Sequence, residues 1–141
     1  MKAALRFKTL SGRSSIVRNV RKYKVDWDGK SKSKMQKAVR DFLRPYWKNH
    51  LVFEEFPMAG TRNAFDFYNA TKKVVVEAQG VQHYEHVKFF HGKGKAKFID
   101  QIKRDQDKFN FCDLNGIALI EVVKGDELTE ELFDSMYEFW R

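Results

Sequence analysis

The chain of 141 residues is 43% hydrophobic and carries a formal net charge of +8. This length fits one domain with a buried core. Its single cysteine, Cys112, excludes an internal disulfide bond and is typical of a reducing cytoplasm. No signal peptide is visible in the first ten residues, and no apolar run approaches the roughly 18 residues of a membrane span, so we expect a cytoplasmic protein without a membrane partner.

Positive charge is concentrated at the start of the chain. Residues 1–40 carry a net charge of +11, whereas residues 41–141 carry −3. Residues 1–32 combine these cations with Ser and Gly breaks and one short strand-like stretch, Tyr23–Trp27. We therefore predict an extended basic N-terminal arm over 1–32, ordered on a polyanionic partner, and a folded domain over 33–141. The alternative is a solvated basic tail.

The first helix is predicted to begin after Ser33, a residue type that caps helix N-termini well. Apolar residues recur from there at helical spacing, and Pro45 predicts an end near Arg44 because proline disfavours helical backbone in the residue before it. Three strand candidates follow, separated by breaks containing Gly, Pro or Asn: Leu51–Phe56, Ala64–Tyr68 and Lys73–Gln79.

A long helix is predicted over about Ala96–Leu114, since Asn115 and Gly116 form a typical C-terminal stop. Its predicted apolar stripe consists of Phe98, Ile102, Phe109 and Cys112.

The chain is predicted to end with a buried strand and a helix. The nearly all-apolar run Ile117–Val123 is typical of a buried strand, and a last helix is predicted to begin near Asp126. The predicted order is an arm, an αβββαβ core and a closing C-terminal helix. The simplest architecture is an α/β (α+β) fold with one mixed central sheet covered by helices.

The residues that carry chemistry lie on the second and third strands of this core. A four-residue loop between Asn69 and Val74 would place these two residues opposite each other, and Asp66 opposite Glu77. Opposed residues of antiparallel strands share a face, with Cβ atoms about 5 Å apart, and Gln79 follows on that face by alternation. Two facing carboxylates on a buried strand need a cation between them, and hard oxygen ligands suit Mg²⁺ or Mn²⁺.

Other groups can serve or compete with such a site. The carboxylates can instead belong to a surface hairpin and pair with Lys72 or Arg62. His83 follows the strand and can move a proton near neutral pH, or it can be a structural hydrogen-bonding group.

The long helix offers a second polar group. Asp105 fills a gap in the apolar stripe, and Gln101 and Lys108 lie on adjoining faces, so we predict that the three line one edge of the same pocket. The alternative is a capping or ion-pairing role within the helix.

Several short motifs of this chain occur together in one known superfamily. They are Phe65-Asp66-Phe67-Tyr68, Glu77-Ala78-Gln79-Gly80, Gln82-His83-Tyr84, Gln101…Asp105…Lys108 with Cys112, and Gly116-Ile117-Ala118-Leu119-Ile120-Glu121. The set resembles the PD-(D/E)XK nuclease superfamily, and within it the very-short-patch mismatch-repair endonuclease and the phage-type homing endonucleases with an EDxHD signature. The similarity covers about Lys34–Val123. The predicted αβββαβ order is also that of the restriction-endonuclease-like core.

The resemblance implies a metal-dependent DNA endonuclease that hydrolyses phosphodiester bonds, of a homing, mismatch or nicking type, in a bacterial or phage-infected cell. It assigns the metal to Asp66 and Glu77 with help from the Ala78 carbonyl. It places Gln79 where the family has a lysine. As a hypothesis, His83 assists proton transfer at that site.

Two positions depart from the family's pattern. Gln36 best matches a Glu that many relatives carry on the first helix, and Gln79 lacks the charge of the usual lysine. Glu54 or Glu55 on the preceding strand can replace the missing acid. Alternation puts one of them on the pocket side, and we favour Glu55.

DNA binding is expected to come from Lys and Arg contacts to phosphates. The candidates are Arg13, Arg18, Arg21 and Lys22 in the arm, and Lys88, Lys93, Lys95 and Lys97 in and after the loop that follows the third strand. Phe89 and Phe90 in that loop are candidates for wedging between bases, with packing against the protein as the alternative.

Three other interpretations stay open. One is a DNA-binding module that keeps the nuclease fold without activity, which Gln36 and Gln79 favour, and another is a DNA junction resolvase. The third is a zinc domain, which a single cysteine makes weak, with the ligands His83, His86, His91 and Cys112. A homodimer, which half-site symmetry would require, is left open by the sequence.

Overall fold

A computed structural model describes residues 3–79 and 93–141. In chain order, its strands are β1 (Ala4–Lys8), β2 (Ser14–Arg18), β3 (Val52–Pro57), β4 (Ala64–Asn69), β5 (Val74–Gln79) and β6 (Ala118–Val123). Its α-helices are α1 (Lys34–Trp47), α2 (Lys93–Leu114) and α3 (Glu130–Met136). A short 3-10 helix spans Val20–Tyr23.

The centre of the fold is a mixed sheet with the strand order β3-β4-β5-β6. Strands β3, β4 and β5 pair antiparallel, and β6 runs parallel to β5. The connection between two parallel strands needs a crossover, which α2 provides here. This architecture confirms the predicted mixed α/β fold. No helix within residues 3–79 and 93–141 is long and apolar enough to cross a membrane.

The turn between β4 and β5 fixes the pairing that the site depends on. Asn69 pairs with Val74, as the four-residue loop predicts. The Asn69 side chain accepts a hydrogen bond from the Lys72 backbone N–H at 2.9 Å, and Lys73 adopts the left-handed region with φ of 56°. These local features set the register of the hairpin and therefore the position of every residue along it.

Helices α1 and α3 cover one face of the sheet. Ser33 caps α1, its Oγ accepting from the Gln36 N–H at 3.1 Å. The prediction that α1 ends near Arg44 is wrong, because the helix continues through Pro45 to Trp47. The missing proline N–H costs one hydrogen bond, and the last turn is held by Trp47, which is fully buried and donates its indole N–H to the Trp140 carbonyl at 2.8 Å.

Helix α2 and the β1–β2 hairpin cover the other face. Gly116, with φ of 65°, ends α2 in the left-handed conformation that glycine adopts readily. The Ile117 N–H donates to the Cys112 carbonyl at 2.8 Å and the Gly116 N–H to the Asp113 carbonyl at 3.3 Å. This is the pattern of a Schellman stop, so the predicted end of this helix is confirmed.

The extended N-terminal arm predicted for 1–32 is wrong for the part that the structure describes. β1 and β2 form an antiparallel hairpin, and Phe7, Val17 and Val20 are buried in the core beside α2. The Phe7 ring lies 5.6–5.9 Å from three rings of the central fold, those of Phe56, Tyr68 and Phe111. The buried apolar residues, spaced between cations, bind the segment to the sheet without any partner.

The strand-like stretch predicted at Tyr23–Trp27 and the helix start predicted near Asp126 also differ from the structure. The former holds the end of the 3-10 helix and a single bridge between Lys24 and Phe53. The latter is a turn, in which the Asp126 carboxylate accepts from the Val123 N–H at 2.9 Å. Thr129 caps α3 instead, accepting from the Leu132 N–H at 3.1 Å.

Because the hairpin belongs to the core, Phe7→Ala is expected to lower the free energy of unfolding by about 3 kcal/mol, the cost of a cavity left by a buried aromatic ring. Leu10→Ala, at the more exposed turn of the same hairpin, should cost about 1 kcal/mol or less. Urea unfolding of both variants is the measurement. Equal, small effects would mean that this segment is not packed on the sheet.

Candidate carboxylate site between the sheet and α2

Two carboxylates meet where the β4–β5 pairing ends. Beyond the last backbone pair, Phe67 with Val76, the side chains take over the hydrogen bonding. The Asp66 N–H donates to Glu77 Oε2 at 2.7 Å, and the Ala78 N–H donates to Asp66 Oδ2 at 2.7 Å. Each acid is thus held by the backbone of the opposite strand, and the two side chains are adjacent.

Lys108 of α2 lies over this pair. Its ammonium group donates to Glu77 Oε1 in a short ion pair, and the exposed fractions of the two side chains are 18% and 6%. The positive charge of Lys108 also favours the ionised form of Asp66. One lysine therefore serves as the counterion for two acids on the α2 side of the sheet.

Burial makes the acids reluctant to ionise. Loss of water, together with the neighbouring charge of Asp66, raises the pKa of Glu77 to about 7. Burial is also the main reason that the pKa of Asp66 is raised. The positive charge of Lys108 opposes both shifts without cancelling them.

The acid expected from β3 lies next to Asp66 in the strand register. Glu54 pairs with Phe67 and Phe56 with Phe65, which places Glu55 opposite Asp66. Burial is the main cause of the raised pKa of Asp66, and the negative charge of Glu55 adds to it. The Oε1 atom of Glu55 lies 3.5 Å from Lys32 Nζ. Glu54 turns toward α1, where its Oε2 accepts from Gln36 Nε2 at 2.7 Å. Gln36 therefore positions Glu54 and does not itself supply an acid.

A third carboxylate lies in line on β6, at Glu121. The parallel pairing places Glu121 directly beside Glu77, and Gln79 Nε2 donates to Glu121 Oε2 at 3.0 Å. Glu121 is not among the site residues predicted from the sequence. Its position in β6 could have identified it, but only once the pairing register of β6 with β5 was known.

Helix α2 turns a polar face toward these acids. Gln101, Asp105 and Lys108 lie on that face, and Gln101 Nε2 donates to Asp105 Oδ1 at 2.8 Å. The predicted apolar stripe of this helix is wrong in its middle, because Ile102 is 37% exposed and Phe109 55% exposed. The side that faces the sheet is polar because it covers carboxylates, and its apolar anchors are Phe111 and Cys112 nearer the end.

The donor set suits a hard divalent cation in type. Asp66 and Glu77 offer carboxylate oxygens, and Mg²⁺ commonly takes one or two carboxylates and completes its shell with water and phosphate. Within residues 3–79 and 93–141, no group of three or more His, Cys, Asp and Glu residues is arranged to hold a metal ion. Burial raises the pKa of Cys112 to about 12, so this thiol stays protonated and is a poor zinc ligand.

Some candidate residues lie outside the described part of the chain. They are His83, His86, Lys88, Phe89, Phe90 and His91, together with the side chains of Lys93 and Lys95. The other cations predicted to bind DNA are exposed. They are Arg13, Arg18, Arg21 and Lys22 on the hairpin and the 3-10 helix, and Lys97 on α2.

Relatives of this chain include uncharacterized viral proteins. It is 37% identical to one from Invertebrate iridescent virus 3 over 81 residues, which are 57% of this chain and 41% of that protein. It is 41% identical over 66 residues to one from Frog virus 3 (isolate Goorha), which are 47% of this chain and 43% of that protein. It is 35% identical over 83 residues to one from Invertebrate iridescent virus 6, 55% of this chain and 42% of that protein.

The chain thus spans about two-fifths of the length of these relatives. No protein-family model matches the sequence, and no solved structure matches the fold.

The raised pKa of Glu77 has a consequence for stability. Since the folded-state pKa is about 7 and the ordinary value is 4.5, the folded protein binds the extra proton between these pH values, and its stability falls as pH rises through that window. Without metal, Glu77→Gln is therefore expected to match the parent near pH 4 and to be more stable at pH 8, by up to about 3 kcal/mol.

Urea unfolding in the presence of EDTA at several pH values measures this difference. Glu138→Gln, at an exposed position, is the matched control and should show no such pH dependence. A parent that is more stable than Glu77→Gln at pH 8 would mean that the ion pair with Lys108 outweighs the cost of burial.

Proposed function

We propose that this chain is a metal-dependent endodeoxyribonuclease that hydrolyses phosphodiester bonds at the Asp66–Glu77 site. One observation carries the proposal: two carboxylates from adjacent strands, buried Glu77 and half-buried Asp66, lie side by side, each hydrogen-bonded to the other's strand. Placing two like charges side by side away from water is costly, and a divalent cation held by Asp66 and Glu77 would offset that cost. The chain's net charge of +8 favours a polyanionic substrate.

Asp66 and Glu77 would hold the metal ion in this function. Their hard oxygens suit Mg²⁺, which when bound would polarise the phosphate and lower the pKa of a water molecule. The Ala78 N–H fixes one oxygen of Asp66, leaving Oδ1 outside that hydrogen bond. The Asp66 N–H fixes Glu77 in the same way, so both acids are held in place by the hairpin before any ligand binds.

Lys108 supplies the positive charge that Gln79 lacks. Its ammonium group already lies against Glu77, so a phosphate bound at the acids would meet this cation, which would stabilise negative charge developing on the phosphate oxygens. Gln79 orients Glu121 through its hydrogen bond. The proton-transfer role of His83 stays a prediction.

A second candidate is a DNA-binding module without catalytic activity. The observation that favours it is the same lysine, because Lys108 already neutralises Glu77 and so makes the buried acids less dependent on a metal ion. The part of the chain that the structure describes also lacks a group of three metal-ligating acids, cysteines and histidines. Nicking of supercoiled plasmid in a titration with Mg²⁺ and Mn²⁺ separates the two functions, since the module binds DNA and stays inactive at every metal concentration.

Asp66→Asn is expected to reduce plasmid nicking by at least about 100-fold, because it removes a charged ligand while an amide oxygen can still accept from the Ala78 N–H. DNA affinity measured in EDTA should change by less than about twofold. Glu138→Gln serves as the control acid substitution away from the site. Nicking by Asp66→Asn at the parent's rate would rule out this site.

Lys108→Gln tests metal binding without using activity. Loss of the ammonium leaves buried Glu77 beside half-buried Asp66 without this counterion, so the variant is expected to be less stable than the parent in EDTA. Millimolar Mg²⁺ or Mn²⁺ should then raise its melting temperature by more than it raises the parent's, since binding to the folded state alone stabilises that state. Lys103→Gln, on the exposed side of α2, is the matched control. Equal metal responses in all three proteins would argue against a metal site here.

A further inference from the structure

An open cleft of about 700 Å³ lies at the start of α1. Four lysines and two serines contribute to its lining: Lys30, Lys32, Lys34, Lys37, Ser31 and Ser33. We refer to it as the lysine cleft. None of these lysines was among the DNA-binding candidates predicted from the sequence.

Much of the positive charge of the lysine cleft is not neutralised by the protein. Lys37 pairs with Asp41 at 3.0 Å, and Lys32 reaches Glu55 at 3.5 Å with both side chains exposed. Among the described residues, Lys30 and Lys34 have no ion-pair partner. Asp28, the acid in the lining, is itself paired with Arg44 at 2.7 Å. The cleft therefore presents excess cations to solvent.

The position of Lys34 at the N-terminus of α1 does not stabilise that helix. The first turn of α1 contains no acidic residue and begins with Lys34. The N-terminus of a helix carries partial positive charge, so lysines there are unfavourable for helix stability and acids would be favourable. An anionic ligand would reverse this cost, because it would meet both the side-chain charges and the free N–H groups of the first turn.

The buried side chain of Arg40 holds the backbone of the loop that carries the lysines. Arg40 is 2% exposed, and its guanidinium group donates to the carbonyls of Gly29 at 2.6 Å and Asp26 at 3.1 Å. A Cβ atom at Gly29 would lie 2.6 Å from Asp26 Oδ2, so a larger residue there would displace the Asp26 side chain, whose Oδ1 accepts from the Asp28 N–H at 3.0 Å. The Ser31 hydroxyl donates to Glu54 Oε2 at 2.9 Å, which ties the rim of the cleft to β3.

The lysine cleft adjoins the carboxylate site. Lys32, in its lining, contacts Glu55, and the charges of both residues act on Asp66. Gln36 in the first turn of α1 shares the Glu54 carboxylate with Ser31. A strand whose phosphate reached Asp66 would thus pass from the acids directly to the cations of this cleft.

We propose that the lysine cleft binds the backbone phosphates of the nucleic-acid strand that flank the phosphate presented to Asp66 and Glu77. The identification of the partner as DNA rests on the proposed function. The cleft is open and its cations are spread along a loop and a helix turn, which fits a run of phosphates along a chain and not a single enclosed phosphate group. Lys30 and Lys34, the cations without internal partners, make the phosphate contacts.

The test measures binding of a DNA duplex by the full chain in EDTA, in an Asp66→Asn background, as a function of salt concentration. Because each phosphate contact adds about 0.9 to the log–log salt slope, Lys30→Gln with Lys34→Gln should reduce the slope by about 1.8 and weaken binding about tenfold at low salt. The control pair is Lys48→Gln with Lys103→Gln, in which Lys48 lies about 21 Å from Lys34 at the other end of α1. The control should keep a slope closer to the parent's.

Thermal unfolding separates a binding role from a structural one. Lys34→Gln should leave the melting temperature unchanged or higher, because it removes a cation from a helix N-terminus, while DNA binding weakens. The proposal is overturned if the Lys30 and Lys34 substitutions reduce the salt slope no more than the control pair does. It is also overturned if the parent does not bind the duplex. Binding to vesicles containing phosphatidylserine that depends on Lys30 and Lys34, with an unchanged DNA slope, would overturn it in favour of a membrane surface.

The outcome is independent of cleavage. If the parent never nicks plasmid and the Lys30 and Lys34 substitutions still lower the salt slope, the metal-dependent activity fails and the cleft stands as a nucleic-acid contact.

Discussion

Two neighbouring carboxylates on adjacent strands, buried Glu77 and half-buried Asp66, are the constraint on which the rest of the site depends. Asp66 and Glu77 lie where the β4–β5 ladder ends, and buried like charges are among the most costly arrangements in a protein. The structure compensates with two backbone N–H groups and with Lys108. These groups reduce the cost without removing it, since the pKa of Glu77 stays near 7. A site that remains short of positive charge is suited to binding a cation.

The composition of α2 follows from this constraint. A helix that packs on a sheet normally turns an apolar stripe toward it, yet α2 turns Gln101, Asp105 and Lys108 toward the acids and leaves Ile102 and Phe109 exposed. Among its described side chains, Phe111 and Cys112 near the C-terminal end are buried in the core, and Phe111 lies against the ring of Phe65. Lys108, one turn earlier, covers the acids.

The β4–β5 hairpin can be predicted from the sequence because neighbouring residues determine its register. The loop between Asn69 and Val74 sets the register, and strand alternation then places Asp66, Glu77 and Gln79. The ion pair between Glu77 and Lys108 is harder to predict, because the two residues are 31 positions apart in the sequence. Apolar residues on the exposed side of α2 also make it difficult to predict which side of this helix faces the sheet. The N-terminal hairpin was missed for a related reason. Its strands are five residues long and rich in cations, and only three-dimensional packing shows that Phe7 and Val17 reach the core.

The distribution of charge links the two sites of this protein physically. Glu77 is buried, Asp66 is half-buried, and backbone hydrogen bonds hold both. The lysines of the neighbouring cleft are exposed and in part unpaired, with Lys32 and Glu55 at the boundary. If the chain acts as proposed, the exposed cations would attract the polyanion and bring one of its phosphates toward acids that would repel it. A divalent cation held by Asp66 and Glu77 would offset that repulsion. In the folded chain, Lys108 already provides a counterion for these acids.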